Sequence, residues 1–124
     1  MITMLPDYRI KPPTKKWPPN IRKALRDLQT ALKTLYGEQA PALLLYGSYA
    51  RGEARDPSDV DVVLLYPGMV QPGNEINRLG LILAELNLKY QVLISIVPIS
   101  VEKYQRSNGI FWKNVRREGI LYGI

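Results

Sequence analysis

A chain of 124 residues with 46% apolar side chains is large and apolar enough for one domain with a core of its own, and no stretch approaches the roughly 20 apolar residues of a membrane span. Cysteine and histidine are both absent, which excludes disulfides, thiolate nucleophiles, zinc sites built on those ligands and imidazole acid–base catalysis. Seventeen basic against eleven acidic residues leave a formal charge of +6, which favours anionic partners, yet the basic residues are dispersed and form no nucleic-acid-binding arm.

Any bound metal must therefore be held by oxygen, which points to a hard cation such as Mg²⁺. A general base must be a carboxylate or, failing that, a tuned Lys or Tyr. The start of the chain lacks the charged-then-apolar pattern of a secretory signal, so a cytoplasmic location is the expectation.

Residues 1–19 carry Pro6, Pro12, Pro13, Pro18 and Pro19 and read as an extended lead-in; residues 20–124 read as the domain. Asn20 is expected to cap a helix that Gly37 ends. Between them Ile21, Leu25, Leu28, Leu32 and Leu35 make one apolar stripe, which fits core packing or a narrow partner seam. The continuously apolar run Ala42 to Tyr46 predicts a buried strand, and Ser48 to about Glu53 a helical turn. Asp56-Pro57-Ser58 is expected to turn the chain into a second strand, Asp59 to Tyr66.

Pro67-Gly68 and Pro72-Gly73 mark a loop, followed by a helix from Glu75 to about Leu88 with Ile76, Leu79, Ile82, Leu83 and Leu86 inward. A third strand is expected from Tyr90 to Val97, stopped by Pro98. Ser100 is placed to cap a short helix from Val101, and Gly109 to about Glu118 reads as a last helix with Phe111 and Val115 inward. Gly119 ends that helix, and residues 120–124 read as a tail. The fold class is α/β (α+β), a small sheet with helices packed on it.

The chemistry concentrates between the first two strands. Gly47-Ser48 ends one strand and opens a helical turn, where backbone N–H groups favour phosphate. Gly47 permits a sharp turn and close approach, and the Ser48 hydroxyl can bond a phosphate oxygen. Ten residues later, Asp59 and Asp61 are two apart in a strand and leave the same face. Two such carboxylates repel unless a cation or donor lies between them. Arg51, one helical turn past Gly47, fits either a phosphate contact or an ion pair with Glu53 or Asp56. Arg116 and Arg117 read as solvated helix charges, and Trp112 and Phe111 as core or interface rather than base-stacking platforms.

Residues 43–66, with Gly47-Ser48, Ala50-Arg51-Gly52, Ser58 and Asp59-Val60-Asp61, resemble the signature of the polymerase-beta-like nucleotidyltransferases, and among them the minimal nucleotidyltransferases. The resemblance implies a mixed sheet flanked by helices and transfer of a nucleoside monophosphate from an NTP. It implies that Gly47 and Ser48 hold the triphosphate, with Arg51 a candidate nucleotide contact on its own reading above, that Asp59 and Asp61 ligate Mg²⁺, and that Ser48, Asp59 and Asp61 are the candidate catalytic residues. It further implies an antitoxin that transfers AMP from ATP to a tyrosine of a HEPN-type toxin, in a complex with that partner. Family members usually add a third carboxylate on a later strand, expected here where Gln91 stands; Glu53, Glu85, Glu102 or Glu118 would have to replace it. An enzyme and a non-catalytic binding module with a degenerate nucleotide site both remain open on these residues. Transfer to a small acceptor such as an aminoglycoside fits less well, since no acceptor-holding domain is visible.

Overall fold

The computed structural model describes residues 10–11, 17–52 and 59–122. Among these residues, five strands form one mixed sheet in the order β1-β5-β2-β3-β4. They are β1 (Ile10–Lys11), β2 (Ala42–Tyr46), β3 (Val60–Tyr66), β4 (Ile94–Ser100) and β5 (Ile120–Tyr122). β2 runs antiparallel to β3 and β5, while β1 and β4 lie parallel to β5 and β3 at the two edges. The helices are α1 (Pro19–Tyr36), α2 (Ser48–Arg51), α3 (Pro72–Tyr90), α4 (Val101–Arg106) and α5 (Ile110–Glu118).

The runs in β2 and β3 lack a polar alternation because both faces of the sheet are covered. One face presents Leu43, Leu45, Val60, Val62, Leu64 and Tyr66 to α1 and α3. The other presents Leu44, Val63, Leu65 and Leu121 to Val101, Tyr104 and Val115 of α4 and α5. No helix among the described residues is long and apolar enough to cross a membrane.

The α1 stripe is core: Ile21, Leu25, Leu28 and Leu32 are buried, and Leu35 alone of the five is exposed. That burial leaves no seam for a partner along it. Asn20 does not cap α1, which starts at Pro19 with proline in its first turn; its side chain instead donates to the Tyr90 carbonyl at 3.1 Å and closes the end of α3. Within the proline-rich lead-in, Ile10–Lys11 pair with β5, and Trp17 is buried with its indole N–H donating to the Tyr49 carbonyl. The rest of that segment, residues 1–9 and 12–16, lies outside the described residues, as does the Asp56-Pro57-Ser58 turn.

α3 begins at Pro72 rather than Glu75, because proline fits the first helical turn. Its inner face carries Glu75, Leu79, Leu83 and Leu86, whereas Ile76 is exposed. The Tyr36 hydroxyl donates to the buried Glu75 carboxylate, which makes that position tolerable. Tyr90 and Gln91 are not strand residues. Tyr90 ends α3, and Gln91 caps it in the left-handed conformation at φ 53°. β4 starts at Ile94 and continues through Pro98, which an edge strand can accommodate. Ser100 caps α4 as expected, accepting from the Lys103 N–H at 3.1 Å. The closing tail is β5, inserted between β1 and β2.

Arg116 is not a solvated charge. Its guanidinium donates to the Tyr104 carbonyl at 2.7 Å and the Ser107 carbonyl at 2.6 Å, and lies over the Tyr104 ring. It ties α5 to the end of α4. Arg116→Ala is expected to cost about 2 kcal/mol, roughly 8 °C in thermal midpoint for a domain of this size, measured by circular dichroism.

Candidate functional site

Antiparallel pairing places the end of β2 and the start of β3 at the same end of the sheet. Tyr46 stands directly across from Asp61, so Gly47 turns away beside that carboxylate. The glycine adopts φ 77° and ψ −154°, a conformation open essentially to glycine alone. A Cβ built on it would stand 2.5 Å from Asp61 Oδ2. The missing side chain thus lets Asp61 pack against the turn itself.

α2 is a single helical turn, closed by the Arg51 N–H donating to the Gly47 carbonyl at 3.1 Å. Its first amides face outward from Ser48, as at any helix start. Tyr49 anchors the turn from below, buried and accepting from Trp17. At the last residue of α2, Arg51 Nη1 lies 3.2 Å from Glu118 Oε2. The alternative partners Glu53 and Asp56 lie outside the described residues.

Asp61 shares a sheet face with Val63 and Leu65, the face covered by α4 and α5. Asp59 stands just before β3, exposed. Burial, then the neighbouring Asp59 charge, hold the Asp61 carboxyl above the usual carboxylate range, while Arg51 pulls the other way. The sequence-predicted residues Gly47, Ser48, Arg51, Asp59 and Asp61 therefore share one end of the sheet. Tyr46 borders them: its phenol is pushed up by burial and then by the Asp61 charge, and its ring meets Phe111 edge-on at 5.4 Å between centroids. Phe111 is half exposed rather than inward, and Trp112 packs on Tyr104.

Parallel register puts Ser95 beside Asp61 and leaves Gln91 outside the sheet. The expected position for a third carboxylate is thus a cap residue, and the strand position nearest Asp61 on β4 holds a hydroxyl. Glu102 pairs with Arg106 on α4, beyond the far ends of β3 and β4, and Glu85 is exposed on α3. Among the described residues no group of three or more acids is arranged to hold a metal.

Glu118, one of the glutamates offered as a replacement third carboxylate, pairs with Arg51, a contact that local spacing could not reveal because 67 residues separate the two. The pairing of Leu45 with Ile120 brings the α5–β5 junction to the end of β2. Gly119 makes that junction tight: a Cβ there would meet the Val115 carbonyl at 2.6 Å and Leu44 at 2.9 Å.

A family model described as a nucleotidyltransferase domain matches residues 20–117. A candidate protein adenylyltransferase of Methanocaldococcus jannaschii is 34% identical over 105 residues, covering 83% of this chain and 99% of the relative. A candidate nucleotidyltransferase structure from Sulfolobus solfataricus superposes with TM-score 0.54 at 14% identity, over 82% of this chain and 80% of that one. A toxin–antitoxin structure with AMP-PNP superposes with TM-score 0.51 at 19% identity, over 87% of this chain and 72% of that one. These two likenesses agree with a nucleotidyltransferase fold.

Proposed function

Because this chain belongs to the nucleotidyltransferase domain family, we propose that it transfers AMP from ATP to a protein hydroxyl, the acceptor being a tyrosine on a HEPN-type toxin that it neutralises. The observation that carries this reading is the contact between the Asp61 carboxylate and the Gly47 turn, with Asp59 and Arg51 beside it. One end of the sheet then offers outward amides and a hydroxyl for phosphates, and carboxylates for a cation. The protein-directed acceptor is supported by the relative described as a candidate protein adenylyltransferase. The toxin partner is supported by the toxin–antitoxin structure with AMP-PNP.

The donor set suits Mg²⁺. Asp59 and Asp61 are hard oxygen ligands in a chain without Cys or His, and their mutual repulsion is a cost that a divalent cation would remove. When bound there, the cation would supply charge neutralisation for the triphosphate. The Gly47–Ser48 turn and Arg51 bind and orient the triphosphate. The acceptor oxygen forms a bond to the α-phosphorus, the bond to the β-phosphate bridging oxygen breaks, and pyrophosphate leaves. The acceptor proton passes to a carboxylate oxygen of the pair.

The test is incubation of labelled ATP, Mg²⁺ and the partner with wild type and with an Asp59→Ala/Asp61→Ala variant. Label on the partner is expected only with wild type. Equal labelling by the double variant would sink the catalytic assignment. Inhibition of the partner without labelling would favour the binding-only alternative, which draws on having two gathered acids rather than three among the described residues.

A further inference from the structure

Tyr46 stands directly across from Asp61 in the β2–β3 ladder, so the two side chains leave the same face of the sheet at the same end. Against that phenol lies the first turn of α5. Phe111 meets the Tyr46 ring edge-on at 5.4 Å between centroids and the Trp112 ring at 4.8 Å, at interplanar angles of 87° and 80°. Two near-perpendicular contacts fix the plane of the Phe111 ring. The helix that carries it is fixed as well: Trp112 packs edge-on against Tyr104, and Arg116 ties α5 to the Tyr104 and Ser107 carbonyls. Yet Phe111 keeps 44% of its surface exposed, and it is the one aromatic among the exposed large apolar side chains of the described residues. A single exposed aromatic is ordinary on a protein surface. What singles out Phe111 is its place, held rigid at the border of a phosphate-binding turn and two carboxylates.

We propose that Phe111 is the surface on which the base of the nucleotide stacks, and so the residue that separates a nucleoside triphosphate from a bare polyphosphate. The inference rests on the nucleotide-site reading above and adds the part of the ligand that the turn and the carboxylates do not hold. A base is joined to its phosphates through one sugar. With the phosphates on the Gly47–Ser48 turn, it must settle on a surface bordering that turn. Below the turn, Tyr49 is buried and offers no open face. On the α5 side, β2 ends at Tyr46, immediately before Gly47, and the Tyr46 ring carries Phe111. A ring already locked in plane loses little freedom when a base covers it. A π-face accepts any base and makes no hydrogen bonds to it, so this contact registers that a base is present rather than which one.

The experiment compares ATP with inorganic tripolyphosphate, each with Mg²⁺, by isothermal titration calorimetry on the full chain without partner. Phe111→Ala is expected to weaken ATP binding about ten-fold and to leave tripolyphosphate binding unchanged, while Phe111→Trp should hold ATP near the wild-type affinity. ATP binding unchanged in Phe111→Ala overturns the proposal: the base then lies elsewhere, and the exposed ring serves another contact, such as the partner's surface. Equal loss of both ligands also overturns it, because a distorted site would weaken both. If Phe111→Ala fails to fold by circular dichroism, Phe111→Leu decides. It keeps the apolar bulk and lacks the π-face, so it should weaken ATP alone; ATP binding as tight as wild type overturns the proposal. Wild type that binds neither ligand overturns the nucleotide-site reading and the base contact with it, whereas the Phe111 outcomes bear on the base contact alone.

Discussion

Asp61→Asn is expected to abolish transfer and at the same time to raise the melting temperature. The loss follows from removing one of two charged oxygen donors: several kcal/mol of charge stabilisation disappear, about a thousand-fold in rate. The gain follows from what Asp61 endures in the free protein. Burial and the adjacent Asp59 charge both disfavour its ionised form, and Arg51 offsets them only in part. The neutral amide keeps the shape and sheds the repulsion. A gain of about 0.5 kcal/mol corresponds to roughly 2 °C for a domain of this length.

The pH dependence has a definite sign. The folded-state value of Asp61 lies above its unfolded value, so folding strengthens proton binding. At acid pH the carboxyl is neutral in both states, and wild type and Asp61→Asn melt alike. As pH rises through the folded value, wild type alone acquires a charge the fold disfavours, and the variant's advantage opens. Melting curves between acid and neutral pH check this. An advantage that shrinks with rising pH would overturn the account. A divalent cation should reverse the ranking at neutral pH by binding wild type alone.

The parts of this site that the sequence exposes are those whose reasons are local. The runs Leu43–Leu44–Leu45 and Val62–Val63–Leu64–Leu65 mark strands buried on both faces, and the interval between Ser48 and Asp59 marks a turn at one end of the pair. What stayed hidden depends on distant pairing. Ile120–Leu121–Tyr122 is three residues long, too short for a period, and becomes a strand because β1 and β2 flank it. Gln91 falls inside the strand expected from Tyr90 to Val97, but the α3 helix runs on to Tyr90 and Gln91 caps it. Pro98 looked like a stop because a central strand would reject it; β4 lies at the sheet edge. The Arg51–Glu118 pair arises from the β2–β5 register, which no local pattern announces.

Gly47→Ala is the substitution in which backbone and site chemistry should fail together. The φ 77°, ψ −154° conformation costs a side-chain-bearing residue about 2 kcal/mol, or roughly 8 °C. The methyl group would also stand 2.5 Å from Asp61 Oδ2, so the carboxylate must swing away from the turn. A displacement of about 1 Å at a reacting centre costs on the order of a hundred-fold in rate. Gly52 provides the control. It has φ 73° and ψ 20°, with nothing among the described residues within 4 Å of an added Cβ, so Gly52→Ala should cost about 1 kcal/mol and leave Mn²⁺ binding unchanged. The two causes at Gly47 separate in a double-mutant cycle with Asp61→Ala. Removing the carboxylate relieves the clash but not the strained backbone, so the cost of Gly47→Ala should fall in that background without vanishing. A cost equal in both backgrounds would mean that Asp61 moves aside freely. The turn and the carboxylate would then be neighbours without being coupled, and the observation on which the proposed function stands would lose its force.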